Sequence, residues 1–265
     1  MYSLKRIRFK KDVVMKYFIK YNIVIVEVII VLFFFLYNSL TLSIDSSSFE
    51  VFVKNYFDIK GKYELVDKAQ VIFQTTPVII FFFCHGIFIY KEWSIDNIYK
   101  LVRYEKRELL YRKNIFYLLS LSIVMSLLFV FLLFLKFIHI NADINIEIHY
   151  LLSLSLNCFA VYYSMALIFS FIAIKYGSLY SCFGTFLLWS VLVVFSLYIS
   201  YKIGNKIGLL ILRLFIPGVN LFYCVITEKN DYLINAISLL QVTFFTLLGN
   251  TIIKRIDIGL SDKEV

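Results

Sequence analysis

The chain has 265 residues, of which 61% are hydrophobic, 19% aromatic and only 17% charged, with a mean hydropathy of +0.81 and a net charge of +9. Soluble domains average about 45–50% apolar and about 25% charged residues, so a water-soluble fold of this size lacks the interior to hide so much apolar surface. Composition therefore excludes a soluble globular domain and makes lipid the expected solvent for most of the chain.

The first 20 residues are basic. Leu4, Ile7, Val14 and Phe18 fall near one helical face, with Lys5, Arg6, Arg8, Lys10, Lys11 and Lys16 largely on others. That pattern predicts an amphipathic helix on an anionic membrane surface; a disordered basic tail that only fixes orientation is the plainer alternative. The following apolar run, 23–42, is too long for a signal-peptide core and has no small-residue cleavage site, so it reads as a retained first span. Glu27 lies inside it. An intramembrane carboxylate is a candidate for a substrate path or a helix contact, but this one stands about one turn from the basic edge and can also reach water or Lys20.

A helix needs about 20 mostly apolar residues to cross about 30 Å of hydrocarbon. Besides 23–42, the runs 69–90, 115–135, 151–174, 179–198 and 232–253 meet that requirement. They are predicted as helices, because lipid offers no partner to unpaired backbone groups and the runs lack the alternation of barrel strands. The expected fold is thus all-α: a single polytopic membrane domain of six spans. His85 and Gly86 near the end of the second span suit close helix packing, with His85 also a candidate for the substrate path. Asn157, Ser164 and Ser170 in the fourth span, and Gln241, Thr243 and Thr246 in the sixth, are polar groups in apolar surroundings. Interhelical hydrogen bonding is their default role, and Asn157, like Glu27 and His85, is also a candidate for a substrate path or helix contact.

The stretch 207–226 is apolar but holds Arg213, Pro217 and Gly218. A central Arg costs about 2.5–3.5 kcal/mol on the insertion scale, so two short helices broken at Pro217–Gly218 fit better than a seventh span, which stays open as the alternative. With six spans and the N-terminus inside, eighteen of the 27 Lys and Arg fall on the inner side and nine on the outer. The excess predicts a plasma-membrane protein with both ends in the cytoplasm. It also accounts for the basic charge without nucleic acid. Cys84, Cys158, Cys182 and Cys224 form no CxxC or Cys/His cluster, so no metal site or disulfide framework is expected.

The segment joining the second and third spans is dense in charge of both signs. Within it Ile95, Ile98, Leu101 and Val102, then Leu109 and Leu110, recur at spacings that give one apolar stripe. This predicts an interfacial helix over about 92–112, either a solvated loop that sets topology or a docking surface for a cytoplasmic partner. Glu92, a small turn at Ser94, the apolar Ile98 and Leu101, the basic Arg103 and Arg107, and Lys113 opening the third span together resemble the coupling segment of type-2 ABC export permeases. So does the layout: an amphipathic N-terminal helix, six spans, and a broken re-entrant segment before the last. Asp96-Asn97 stands where family members often have Gly-Thr or Gly-Ser.

What the resemblance implies is a transport subunit, not an enzyme. The sequence has no GxxxxGK[ST] loop to cradle phosphates, so ATP and Mg would be handled by a separate cytoplasmic ABC ATPase docked on Glu92, Ile95, Ile98, Leu101, Arg103 and Arg107. Two copies, or this chain with a related permease, would line a path for a hydrophobic or amphipathic cargo such as an antimicrobial peptide, a bacteriocin or a lipid. The competing expectation is an ATPase-independent membrane protein, for instance an immunity protein or a sensor's membrane partner. An intramembrane enzyme finds no support, since HExxH, GxSxG and paired glutamates are absent from the sequence and His139, His149, Asp143 and Glu147 have no recognised metal spacing. No catalytic or metal-binding residues are assigned.

Overall fold

The computed structural model of the chain describes residues 48–57, 107–140, 148–176, 180, 183–184, 187–191, 215–217 and 232–255. Among these, four helices carry the architecture: α1 (Phe49–Phe57), α2 (Arg107–Ile140), α3 (Ile148–Tyr176) and α4 (Tyr232–Arg255). The described part is all helical. The predicted spans at 23–42 and 69–90, the N-terminal amphipathic helix and most of 92–112 lie outside the described residues, as does most of 179–198.

Three stretches are long and apolar enough to cross a membrane: Asn114–Ile138, Ile148–Ile174 and Tyr232–Ile252. They correspond to the predicted spans 115–135, 151–174 and 232–253. Each helix runs beyond its apolar window. With 34 residues, α2 is about 51 Å long at about 1.5 Å per residue, well over the thickness of the hydrocarbon layer, so its charged beginning at residues 107–113 projects past the apolar part. The exposed faces are greasy: Phe116, Leu127 and Phe131 on α2, Leu152 on α3, and Leu233, Leu240 and Leu247 on α4 all point outward. Ser122, Ser126, Asn157, Ser164, Ser238 and Gln241 are buried instead. Polar groups inside and large apolar ones outside is the arrangement lipid favours, since a hydrocarbon solvent rewards no burial of Leu.

α2 and α3 are antiparallel. Phe137 late in α2 and Tyr150 early in α3 both pack edge-on against Phe49, at ring separations of 5.4 and 6.2 Å, whereas Tyr111 early in α2 meets Phe171 late in α3. α3 and α4 run parallel, because their contacts ascend together: Ser153 with Asn235, Asn157 with Ser238, Tyr163 with Thr246. The start of α2 and the ends of α3 and α4 therefore share one end of the bundle. That end carries the positions of Arg107, Arg112, Lys113, Lys175, Lys254 and Arg255.

The opposite end is closed by α1, an element that the hydropathy of the sequence does not announce. Ser48 caps it: its carbonyl accepts from the Phe52 amide at 3.0 Å and its hydroxyl from the Val51 amide at 3.3 Å. Phe49, Phe52 and Val53, spaced by three and one, form a buried face. Phe49 packs on Phe134, Phe137 and Tyr150, and Phe52 on Phe137 at 5.8 Å. Phe49→Ala is expected to cost about 3 kcal/mol, the usual penalty for emptying a buried aromatic site, read as a lower thermal unfolding midpoint in detergent. An unchanged midpoint would mean that α1 contributes nothing to this end.

Near Pro217 the helical conformation at Phe215 gives way to a bend at Ile216 and a turn at Pro217, as the missing amide and ring of proline require. The Phe215 ring lies edge-on to Phe244 at 5.1 Å. Phe244 falls near the middle of the Tyr232–Ile252 stretch, so this turn sits beside the central part of α4 and not beside its ends.

Candidate functional site

The seam between α3 and α4 holds the densest set of buried polar side chains among the described residues. Its geometry follows from helical spacing. On α3, Ser153, Asn157 and Ser164 recur at four and seven residues; on α4, Asn235, Ser238 and Gln241 recur at three. Each set lies on one face, and two parallel helices bring the faces together in register.

At one end the polar groups satisfy one another. The Ser153 hydroxyl donates to Asn235 Oδ1 at 2.8 Å. Asn157 Nδ2 donates to the Ser153 carbonyl at 2.7 Å and reaches Asn235 Oδ1 at 3.4 Å, while Asn157 Oδ1 accepts from the Ser238 hydroxyl. Asn157 is thus the hub of a network that ties α3 to α4. Further along, Tyr163 and Thr246 share a 2.9 Å hydrogen bond. The Thr246 hydroxyl already donates to the Val242 carbonyl at 2.7 Å, so the Tyr163 hydroxyl is the donor between helices.

Past Ser238 the seam changes character. Gln241, one turn beyond Ser238, is fully buried with neither its amide nitrogen nor its carbonyl oxygen hydrogen-bonded, and the buried Ser164 hydroxyl is likewise without a partner. Register sets Gln241 opposite Ala160 and Val161, both buried, and between the levels of Asn157 and Ser164. The seam's described side chains are neutral and offer hydrogen-bond donors and acceptors. Such a site can hold a polar group or a helix contact.

Where the basic residues gather, α2 and α4 approach closely at Gly249. A side-chain carbon there would overlap the Tyr111 hydroxyl and lie 2.5 Å from the tip of the Phe171 ring. Only glycine leaves that space, so the Tyr111 ring docks into a notch of α4. Tyr111 lies just before the apolar window of α2, and burial pushes its phenol well above the ordinary tyrosine range. It stays neutral at every physiological pH.

Of the residues singled out from sequence, Asn157 is placed in the seam, and Gln241 and Thr246 join it. Thr243 does not: it faces outward and donates to the Leu240 carbonyl at 2.8 Å. Ser170 bonds Ala166 of its own helix at 2.6 Å. Arg107 opens α2, so the last residues of the predicted 92–112 helix share a helix with the third span and do not form a separate surface element. Glu27, His85, Glu92, Ile95, Ile98, Leu101 and Arg103 lie outside the described residues. Cys158 is buried in the core and in no disulfide. Ser153, Asn235, Ser238, Tyr163 and the Tyr111–Gly249 contact are functional or structural positions that sequence reasoning passes over; their only signal is the repeated three- and four-residue spacing.

In comparisons with known proteins, no family model matches the sequence, no curated protein matches it, and no solved structure matches the fold. The likeness to export permeases therefore rests on the residues and layout given above.

Proposed function

We propose that the chain is the membrane subunit of an ATP-driven exporter, moving a hydrophobic or amphipathic cargo, of peptide or lipid-like character, with power from a separate cytoplasmic ATPase docked on 92–112. The observation that carries the reading is the unbroken helix α2. Its first residues, Arg107–Arg112, belong to the charged docking segment, and its remainder is a span. A helix is stiff on this length scale, so a push at the docking segment is delivered directly to the bundle, where Tyr111 in the Gly249 notch passes it to α4.

Topology supports the same reading. α3 and α4 are parallel, so if both span the membrane the chain between residues 176 and 232 crosses it an odd number of times. That stretch has room for one crossing of about 20 residues with connections, or two, but not three. One crossing over 179–198 then leaves 207–226 as a segment that enters and leaves by the same side. The turn at Pro217 beside the middle of α4 fits a re-entrant hairpin. Added to two spans over 23–42 and 69–90, this makes six, with both ends on the cytoplasmic side. The clustered basic positions at the start of α2 and the ends of α3 and α4 agree with that side being inner.

The test is co-purification of a co-expressed ABC ATPase with charge reversals at Glu92, Arg103 and Arg107. Reversal at a docking face costs about 2 kcal/mol or more, so the recovered ATPase is expected to fall at least about tenfold. Undiminished recovery and undiminished export with all three reversed would favour the ATPase-independent alternative.

A further inference from the structure

Gln241 and Ser164 present a problem that helix packing does not solve. Two turns of the seam are saturated by Asn157, Ser153, Asn235 and Ser238, and Tyr163 bonds Thr246 further along, yet three polar atoms are shut away from every partner: both amide atoms of Gln241, one turn past Ser238, and the hydroxyl of Ser164, next to Tyr163 on α3. Both side chains are 0% exposed. An amide enclosed without hydrogen bonds bears its full desolvation penalty, whereas Leu at the same position would bear none. Most other seam side chains are paired, so these two stand out within the seam. The small Ala160 opposite Gln241 adds no bulk that would fill the seam.

We infer that Gln241 and Ser164 form a binding site that opens to water when α3 and α4 part, fitted to a neutral group that both donates and accepts hydrogen bonds. A carboxamide presents N–H and C=O side by side, the complement of a peptide amide or of water, and the Ser164 hydroxyl supplies a third contact able to act in either sense. The site has no charge with which to select an ion. In the closed state the two helices meet and the groups are left bare; in the open state the ligand satisfies them. The peptide-amide form of the ligand rests on the export reading, and the water form does not.

Thiol accessibility tests this directly. With Cys84, Cys158, Cys182 and Cys224 replaced by alanine, single variants Gln241→Cys and Ser164→Cys are compared in lipid vesicles with Leu154→Cys, a control on α3 that is also 0% exposed. Each is first checked for a single symmetric peak in size exclusion, and either site variant suffices if the other does not fold. The probe is a small membrane-impermeant methanethiosulfonate. Both site thiols are expected to react at least about tenfold faster than the control, because a thiol kept in dry apolar surroundings stays protonated and inert. Rates equal to that of Leu154→Cys overturn the site. Repeating the measurement with the ATPase and ATP separates the two ligands. A rate that rises with turnover supports the cargo amide, and a rate indifferent to it supports water alone. Failure of the ATPase to bind would remove the export reading while leaving the difference in labelling intact.

Discussion

Gly249→Leu is expected to destabilise the bundle by about 3 kcal/mol, at the upper end of what overpacking a filled interior costs, and to abolish a monodisperse species in detergent at elevated temperature. Gly249→Ala separates the causes. Alanine gains about 1 kcal/mol of helix propensity over glycine, so in a roomy site the variant would be more stable than the native chain. Here the added carbon meets the Tyr111 hydroxyl and the Phe171 ring tip at once. Neither can simply swing away: Tyr111 is 4% exposed and stacks obliquely on Phe171 at 6.2 Å. The net effect of alanine is therefore a loss of about 1–2 kcal/mol, the overpacking penalty exceeding the propensity gain. Tyr111→Phe removes the nearest obstructing atom together with a buried hydroxyl that has no hydrogen-bond partner, so alone it is neutral or slightly stabilising. In that background Gly249→Ala is expected to cost at least about 1 kcal/mol less, a coupling read from a double-mutant cycle of unfolding midpoints. The rescue is partial because Phe171 remains. Equal cost in both backgrounds would show that the notch does not exist.

The membrane-crossing elements are legible because twenty apolar residues in a row have few other uses. Their ends are not. Charges at Arg107, Arg112 and Lys113 end any hydropathy window, yet the backbone pattern continues through them, since Arg, Lys, Glu and Leu all favour helix. α1 escapes for the opposite reason: Ser48 followed by Phe49, Phe52 and Val53 is a readable cap and apolar face, but nine residues fall below the length on which spans are judged. The polar seam is half legible. An Asn or Gln in a span is rare enough to mark, so Asn157 and Gln241 stand out. Serine and threonine are not, because most bond the carbonyl three or four residues back, as Ser120, Ser155 and Thr251 do here. Nothing in one sequence tells those from Ser153 and Ser238, which reach across to a neighbouring helix. That distinction needs the parallel register of α3 and α4, which brings together residues 78 to 83 positions apart.

Asn157→Leu tests the seam itself, and its expected effect is a loss of about 2–3 kcal/mol. Interhelical hydrogen bonds in membranes average about 0.6 kcal/mol and reach about 1.7, so one bond alone would not suffice. Asn157 is a hub: its removal breaks the bond from the Ser238 hydroxyl and takes one of two donors from Asn235 Oδ1, while Ser153 keeps the other. Two interhelical bonds lost at one buried residue together account for about 2–3 kcal/mol. Leucine keeps the branched skeleton of asparagine and is bulkier, so no cavity forms and any overpacking adds to the loss. A double-mutant cycle isolates the Asn157–Ser238 bond: Asn157→Leu with Ser238→Ala is expected to cost about 1 kcal/mol less than the sum of the two single losses. If the double variant is instead weaker by the sum of the two single losses, Asn157 and Ser238 act independently and the seam is a chance alignment of polar side chains. If it costs less than that sum, the two side chains act as one link between α3 and α4, added to the apolar packing of Val161, Tyr163, Ile237 and Phe245.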